Sequence, residues 1–373
     1  MDLNAPKNIN YYDDSYRMNN HNNHLVYMAV FHKKDYLELL KILMVTVQFF
    51  SKTDTLDFLV LTTESFEDDI INISNLTGIP ISMKFFTFTT MYESLCARLF
   101  IFDYENINMY SKILYIDTDI VVINDITKLF EIPIEDKLYA LGEGGVQYES
   151  WGSQLFDFNQ VNADTVGMNS GILFFQNTNT IRTIFKNIIE HMKFFEDNHI
   201  PMPCCPDQAF INYYSIKDGN HNTDLMSKYA VIYSKDAPLH PVSPSDIIFC
   251  HFTWPIGNAM HKRFRMVSHM NHIFNNYAEI YPEFLKDKNI NININPVLKK
   301  SYSWVDTNAI LYFDEDRLLT TWDYGNYKWL DTYLLEANWS GCNHVLCMNK
   351  DYTSFIAIRK EDFNVATGTL LNR

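Results

Sequence analysis

The chain has 373 residues, 47% of them hydrophobic, which is enough to bury a large core and excludes a disordered or fibrous protein. With 45 acidic against 30 basic residues the net charge is -15, so no nucleic-acid partner is expected, because phosphate backbones are held by clustered Lys and Arg. No apolar stretch reaches membrane-spanning length, and six cysteines, at 96, 204, 205, 250, 342 and 347, have no paired C-x-x-C spacing and read as free thiols.

In chain order, residues 1–24 are polar, lack the basic and apolar pattern of a secretory signal, and read as a flexible leader on a soluble cytoplasmic protein. Strand and helix signals then alternate. Leu25–Phe31 reads as a strand, Tyr36–Phe50 as a helix with apolar residues at 37, 40, 43, 44 and 47, and Leu56–Leu61 as a second strand. A short strand, Ile81–Phe86, precedes a helix that opens at a capping box, Thr90 to Glu93, and runs through Arg98 to about Phe102. The apolar run Ile113–Ile116 follows. Gapless apolar strands alternating with amphipathic helices predict an α/β domain with a mostly parallel sheet, covered on both faces, with ligands at the carboxyl ends of its strands. The stretch after the first strand, Val30-Phe31-His32-Lys33-Lys34, has no glycine, so the nicotinamide and flavin fingerprint is missing.

Residues Gly142 to Gly152 read as a Gly-rich loop, Met168–Phe175 as a strand and Thr180–Phe195 as a long helix. The main domain is placed at 25–286 and a linker at 287–300, where Asn and Ile alternate before Pro296 and a basic end. Residues 301–373 hold short aromatic and aliphatic runs such as Val345–Met348 and Phe355–Ile358, and read as a small all-β appendage. Its Trp304, Trp322, Trp329 and Trp339 are either core or a surface on which sugars stack.

Two carboxylates, Asp117 and Asp119, interrupt the apolar run that resumes at Ile120. Side chains two apart on an extended chain point the same way, so this pair can grip one divalent cation, and a cation there would hold a diphosphate; Thr118 faces the other side. The pattern alone is weak, since Asp314-Glu315-Asp316 also follows an apolar run. Three further clusters give context: Asn169-Ser170-Gly171 at a strand entrance, with sugar-bonding groups and room for close approach; Pro206-Asp207-Gln208, which opens a helix; and His251 at the strand end Phe249-Cys250-His251-Phe252. Each also has a plain structural reading as a strand cap, a helix cap or a core histidine.

Taken together, Ala97-Arg98-Leu99, Lys112 to Asp119 with Ile126 to Phe130, Asn169-Ser170-Gly171, Pro206 to Asn212 and His251-Phe252 resemble the family 8 glycosyltransferases, over about residues 25–280. The resemblance implies a Rossmann-like GT-A domain that uses Mn²⁺, with Mg²⁺ as the alternative, to transfer a hexose from a UDP-sugar to a glycan or glycoprotein acceptor with retention. It implies that Asp117, Asp119 and His251 hold the metal, a donor set that suits Mn²⁺. Donor contacts fall to Tyr36, Arg98, Asp117, Thr118, Asn169, Ser170 and Gly171. Asp207, Gln208 and Lys262 are the catalytic candidates, with Lys262 displaced from the family's His-Phe-x-Gly-x-x-Lys-Pro-Trp spacing by a longer loop and Arg263 second. A noncatalytic carbohydrate-binding scaffold, or a self-glycosylating primer like glycogenin, are the competing readings, and homo-oligomers are left open.

Overall fold

The structure, a computed structural model, describes residues 23–88, 91–234, 246–254, 257–275, 297, 300–304, 309–314, 317–320, 324–330, 334–339, 341–348, 352–362 and 364–371. Of the sequence expectations, the leader up to residue 22, Thr90 of the capping box, most of the 287–300 linker, Glu315 with Asp316, and Trp322 lie outside the described residues.

The chain begins β1 (His24–Ala29), α1 (Asp35–Phe50), β2 (Asp57–Thr62), α2 (Glu67–Thr77), β3 (Ile81–Phe85). It continues α3 (Met91–Leu95), β4 (Lys112–Ile116), β5 (Ile120–Val122), α4 (Thr127–Glu131), β6 (Leu138–Gly145), β7 (Val166–Gln176), α5 (Asn179–Asp197), α6 (Pro206–Lys217), β8 (His221–Asn222), β9 (Ala230–Ile232), β10 (Phe249–His251) and α7 (Ala259–Asn275). One sheet has the order β3-β2-β1-β4-β7-β6-β8; β3, β2, β1 and β4 pair in parallel, and β7 runs antiparallel to both β4 and β6. A second sheet, β5-β10-β9, stands beside it. This is the mostly parallel α/β layering expected from the sequence.

Three details depart from the expectation. The single helix over 90–102 is broken: α3 ends at Leu95, and a tighter 3-10 helix spans Ala97–Asp103 with Phe100 out of helical geometry (φ -88°, ψ 16°). The turn tightens where Ala97 and Leu99 are buried under the sheet while the intervening Arg98 reaches toward the end of β4. The Gly-rich stretch from Gly142 is strand up to Gly145, because β6 pairs along β7 through a bulged register. Asn169, Ser170 and Gly171 lie within β7, not at its entrance. Lys262, expected after a longer loop, stands on the first turn of α7.

α1 explains how the whole chain packs. Its residues Leu37, Leu40, Leu43, Met44 and Val47 join the core against the large sheet. The other side, Leu39, Ile42 and Val45, joins a core made with Met266, Val267 and Met270 of α7 and with the C-terminal strands. Two apolar stripes are thus buried on two sides of the helix, while Asp35 and Glu38 stay exposed. On the opposite face of the sheet, Ile181, Ile184, Phe185 and Ile188 of α5 and Phe210 and Ile211 of α6 cover β1, β4 and β7.

The C-terminal appendage is a closed barrel of eight strands, β11 (Ser301–Trp304), β12 (Ala309–Asp314), β13 (Arg317–Thr320), β14 (Tyr324–Trp329), β15 (Leu334–Trp339), β16 (Cys342–Met348), β17 (Ser354–Arg359) and β18 (Val365–Leu370). Every neighbouring pair is antiparallel and β18 closes onto β11, so no sheet edge remains exposed. Trp304 and Trp339 are buried and pack edge to face at 5.2 Å, and His344 stacks on Trp339 at 3.7 Å. These two tryptophans are core, and Trp329 is half-buried. Thr367 donates to the carbonyl of Leu76, fastening the barrel to the end of α2.

Candidate metal and donor site

The site forms where the two sheets meet. β4 stops at Ile116 and β5 starts at Ile120, so Asp117, Thr118 and Asp119 are the link between them. Backbone bonds hold both ends of the link: Asp117 N donates to Gly171 O of β7 at 2.8 Å, and Phe252 N donates to Asp119 O at 2.9 Å. The pairing of His251 with Ile120 then sets the imidazole beside the acidic pair.

His251 Nε2 lies 3.2 Å from Asp119 Oδ1 and 3.9 Å from Asp117 Oδ2, and ligand atoms of all three residues fall within 4.8 Å of one another. Neighbouring ligands on a cation with bonds near 2.1 Å stand about 3 Å apart, so the spacing fits a shared divalent ion. Asp119 Oδ1 is buried without a hydrogen-bond partner, the condition that a bound cation would relieve. Gly171 makes the space: a Cβ there would stand 2.2 Å from His251 Cε1 and 2.9 Å from Asp117 Oδ2. Among the described residues this is the one such cluster of metal-ligating side chains.

The second oxygen of each carboxylate is held by a cation or a phenol. Lys262 donates to Asp119 Oδ2. Tyr115 donates to Asp117 Oδ1, and Arg98 Nη2 lies 3.3 Å from the same atom. Burial opposes ionisation of Asp119, but the charges of Lys262 and His251 outweigh it and hold the carboxyl well below the usual range. Burial likewise opposes the charged Lys262 ammonium, and Asp119 more than restores it.

Arg98 ties the metal cluster to α6. Its Nε lies 3.0 Å from Asp207 Oδ2, its Nη1 donates to Ser170 O and Oγ at 2.5 and 3.2 Å, and its guanidinium lies over the Tyr115 ring at 4.7 Å. Burial would lower its pKa, but Asp117 and Asp207 keep it charged. Asp207, in the first turn of α6 after Pro206, is buried enough that its pKa rises despite Arg98. Gln208 is fixed at both ends, accepting from Ser170 N at 3.1 Å and donating to Ser150 O at 3.0 Å. Asn169 accepts from Gly171 N and donates to Glu143, both at 2.8 Å. Glu143 of β6 was not singled out from the sequence, where nothing distinguishes it within the Gly-rich stretch.

Thr118 is buried at the link. Tyr36, in the first turn of α1, is half-buried; burial raises its pKa, and Lys262, Asp119 and Asp117 are all close enough to act on it. The structure brings Asp117, Asp119, His251, Lys262, Arg98, Asp207, Gln208, Asn169, Ser170 and Gly171 into contact with one another, whereas Arg263 pairs with Glu38 at 3.5 Å. Beyond the ends of β1, β2 and β3 lies a cavity of about 240 Å³, lined by Phe31, Phe66, Phe86, Phe88, His32 and hydroxyl side chains, that sequence reading did not anticipate.

A sequence model of the family described as Glycosyl transferase family 8 matches residues 17–259, more than half of the chain. No curated protein matches. Similar solved structures include the apo WbbM bifunctional glycosyltransferase, at 17% identity over 69% of this chain and 51% of that one, with a TM-score of 0.44. The glycosyltransferase GlyE of Streptococcus pneumoniae TIGR4 shares 20% identity over 54% and 45%, with a TM-score of 0.37. The galactosyltransferase LgtC in complex with donor and acceptor sugar analogs shares 16% over 66% and 96%, with a TM-score of 0.43. The chain thus spans about half the length of the first two, 51% and 45%.

Proposed function

The chain belongs to glycosyl transferase family 8, and from that premise we propose that it is a retaining, divalent-metal-dependent glycosyltransferase that moves a hexose from a UDP-sugar to a glycan or protein acceptor. The observation that carries this reading is the convergence of Asp117 and Asp119, from the β4–β5 link, with His251, from β10, on a single point left open by Gly171. Mn²⁺, or Mg²⁺ in its place, would neutralise the charge that grows on the departing diphosphate.

The chain's own residues divide the remaining work. Arg98 and Lys262 each hold one oxygen of a metal-binding carboxylate, which leaves the other oxygen turned toward His251. Outer partners of this kind fix the orientation of ligands. Lys262, which holds Asp119, would be the cation that receives the leaving phosphate, and Arg98 links Asp117 to Asp207. Asp207, Gln208, Asn169 and Ser170 line the side where the donor sugar would lie, and the Asp207 carboxyl, which Arg98 faces at 3.0 Å, is the group on that side suited to stabilise positive charge at the anomeric carbon or to attack it. Tyr36 and Thr118 are assigned to the nucleoside end of the donor.

The test is UDP release from a panel of UDP-sugars with and without Mn²⁺. Turnover with at least one donor, abolished by chelation and reduced at least about a hundredfold by Asp119→Ala, is expected for loss of a metal ligand. Metal-independent turnover, or none with any UDP-sugar although UDP binds, contradicts the reading.

A further inference from the structure

Lys262 occupies a contradictory position. It is buried, and among the described residues its ammonium is given to the carboxylate of Asp119, the same group that a divalent cation needs. Its backbone is fixed by the start of α7, where Lys262 N donates to Asn258 O at 3.1 Å and the Asn258 side chain accepts from His261 N at 3.0 Å. The helix itself is anchored through Met266, Val267 and Met270 in the core shared with α1 and the barrel. Only the side chain can move. Arg98 differs: its guanidinium is spread over Asp117, Asp207 and Ser170 in a planar fork.

The charges explain why a lysine is tolerated there. Three carboxylates, Asp117, Asp119 and Asp207, face two cations, Arg98 and Lys262, so most of the buried charge is paired within the cluster. A divalent ion added to that balance brings surplus positive charge and competes with the ammonium for Asp119. A diphosphate removes both problems, because it carries negative charge and offers the displaced ammonium new oxygens.

We infer that Lys262 is a tethered counter-cation that guards Asp119 against metal alone and passes to the donor's diphosphate when both arrive, so that metal and donor bind as a coupled pair. The inference rests on the metal-centre reading given above. Coupling of this kind is reciprocal: metal must strengthen nucleotide binding by the factor by which nucleotide strengthens metal binding. A lysine that served only as a phosphate contact would leave the affinity for metal alone unchanged.

The experiment is titration of Mn²⁺ into the full chain, followed by loss of the free-ion electron paramagnetic resonance signal, for wild type, Lys262→Met and Lys262→Arg, each with and without UDP. Wild type is expected to bind Mn²⁺ weakly alone and about 5- to 150-fold more tightly with UDP. Lys262→Met should bind Mn²⁺ alone more tightly than wild type and lose most of the gain from UDP. Lys262→Arg keeps the positive charge and should keep metal-alone binding weak, which also controls for a folding defect in the methionine variant. If Lys262→Met binds Mn²⁺ alone no more tightly than wild type while wild type binds it with UDP, this inference falls and the metal centre stands. If no protein binds Mn²⁺ with or without UDP, both fall.

Discussion

Gly171 illustrates how little of a site can be carried by its reactive groups alone. The acidic pair and His251 could be found in the sequence, because carboxylates two apart at a strand end and an imidazole at another are chemically distinctive. The need for glycine opposite them could be suspected only as close approach, and the coordinates give the reason: any Cβ collides with the imidazole ring. Gly171→Ala is therefore expected to displace His251 and abolish Mn²⁺ binding while β7, buried and paired on both sides, keeps the protein folded. Calorimetric Mn²⁺ titration with UDP, paired with thermal unfolding, checks it; wild-type metal affinity in this variant would contradict the geometry. Arg98 was legible as a donor-side residue but not as the tie between Asp117 and Asp207, because a sequence shows charges and not which of them meet.

At the scale of elements, periodicity located most strands and helices but misread those whose form depends on neighbours. β6 runs into a Gly-rich segment because β7 is there to pair with it, and the 97–103 segment tightens because its buried residues and Arg98 must face different ways. α1 carried a signal that was passed over: Leu39, Ile42 and Val45 form a second apolar stripe beside the one facing the sheet, and that stripe is where α7 and the barrel pack. The barrel has its own titratable reporter in His344, whose burial against Trp339, aided by the charge of Arg359, lowers its pKa from 6.5 to about 4. A depressed folded-state pKa means that the neutral ring contributes stability above pH 6.5, and that this contribution is lost as the pH falls toward about 4. The loss is worth up to about 3 kcal/mol. Thermal unfolding followed by tryptophan fluorescence should show a falling midpoint across that interval, flattened in His344→Phe; the same slope in both proteins would rule the histidine out as its source.

For the whole molecule, the α/β layering and the all-β appendage followed from the alternation of patterns along the sequence, whereas the closure of the appendage into a barrel did not. Short aromatic runs fit a barrel, a sandwich or an open sheet equally well, and only the pairing of β18 with β11 decides among them. The same holds for the site, which draws on the β4–β5 link, β7, β10 and the first turn of α7, a helix that packs in one core with α1 and the barrel. The account depends on these distant segments sharing one cation. Crystals grown with UDP and Mn²⁺, with diffraction collected at the manganese absorption edge, measure that directly. An anomalous peak within about 2.3 Å of His251 Nε2 and of carboxylate oxygens from Asp117 and Asp119 is the predicted result; a manganese ion bound to UDP with no contact to His251 would contradict it.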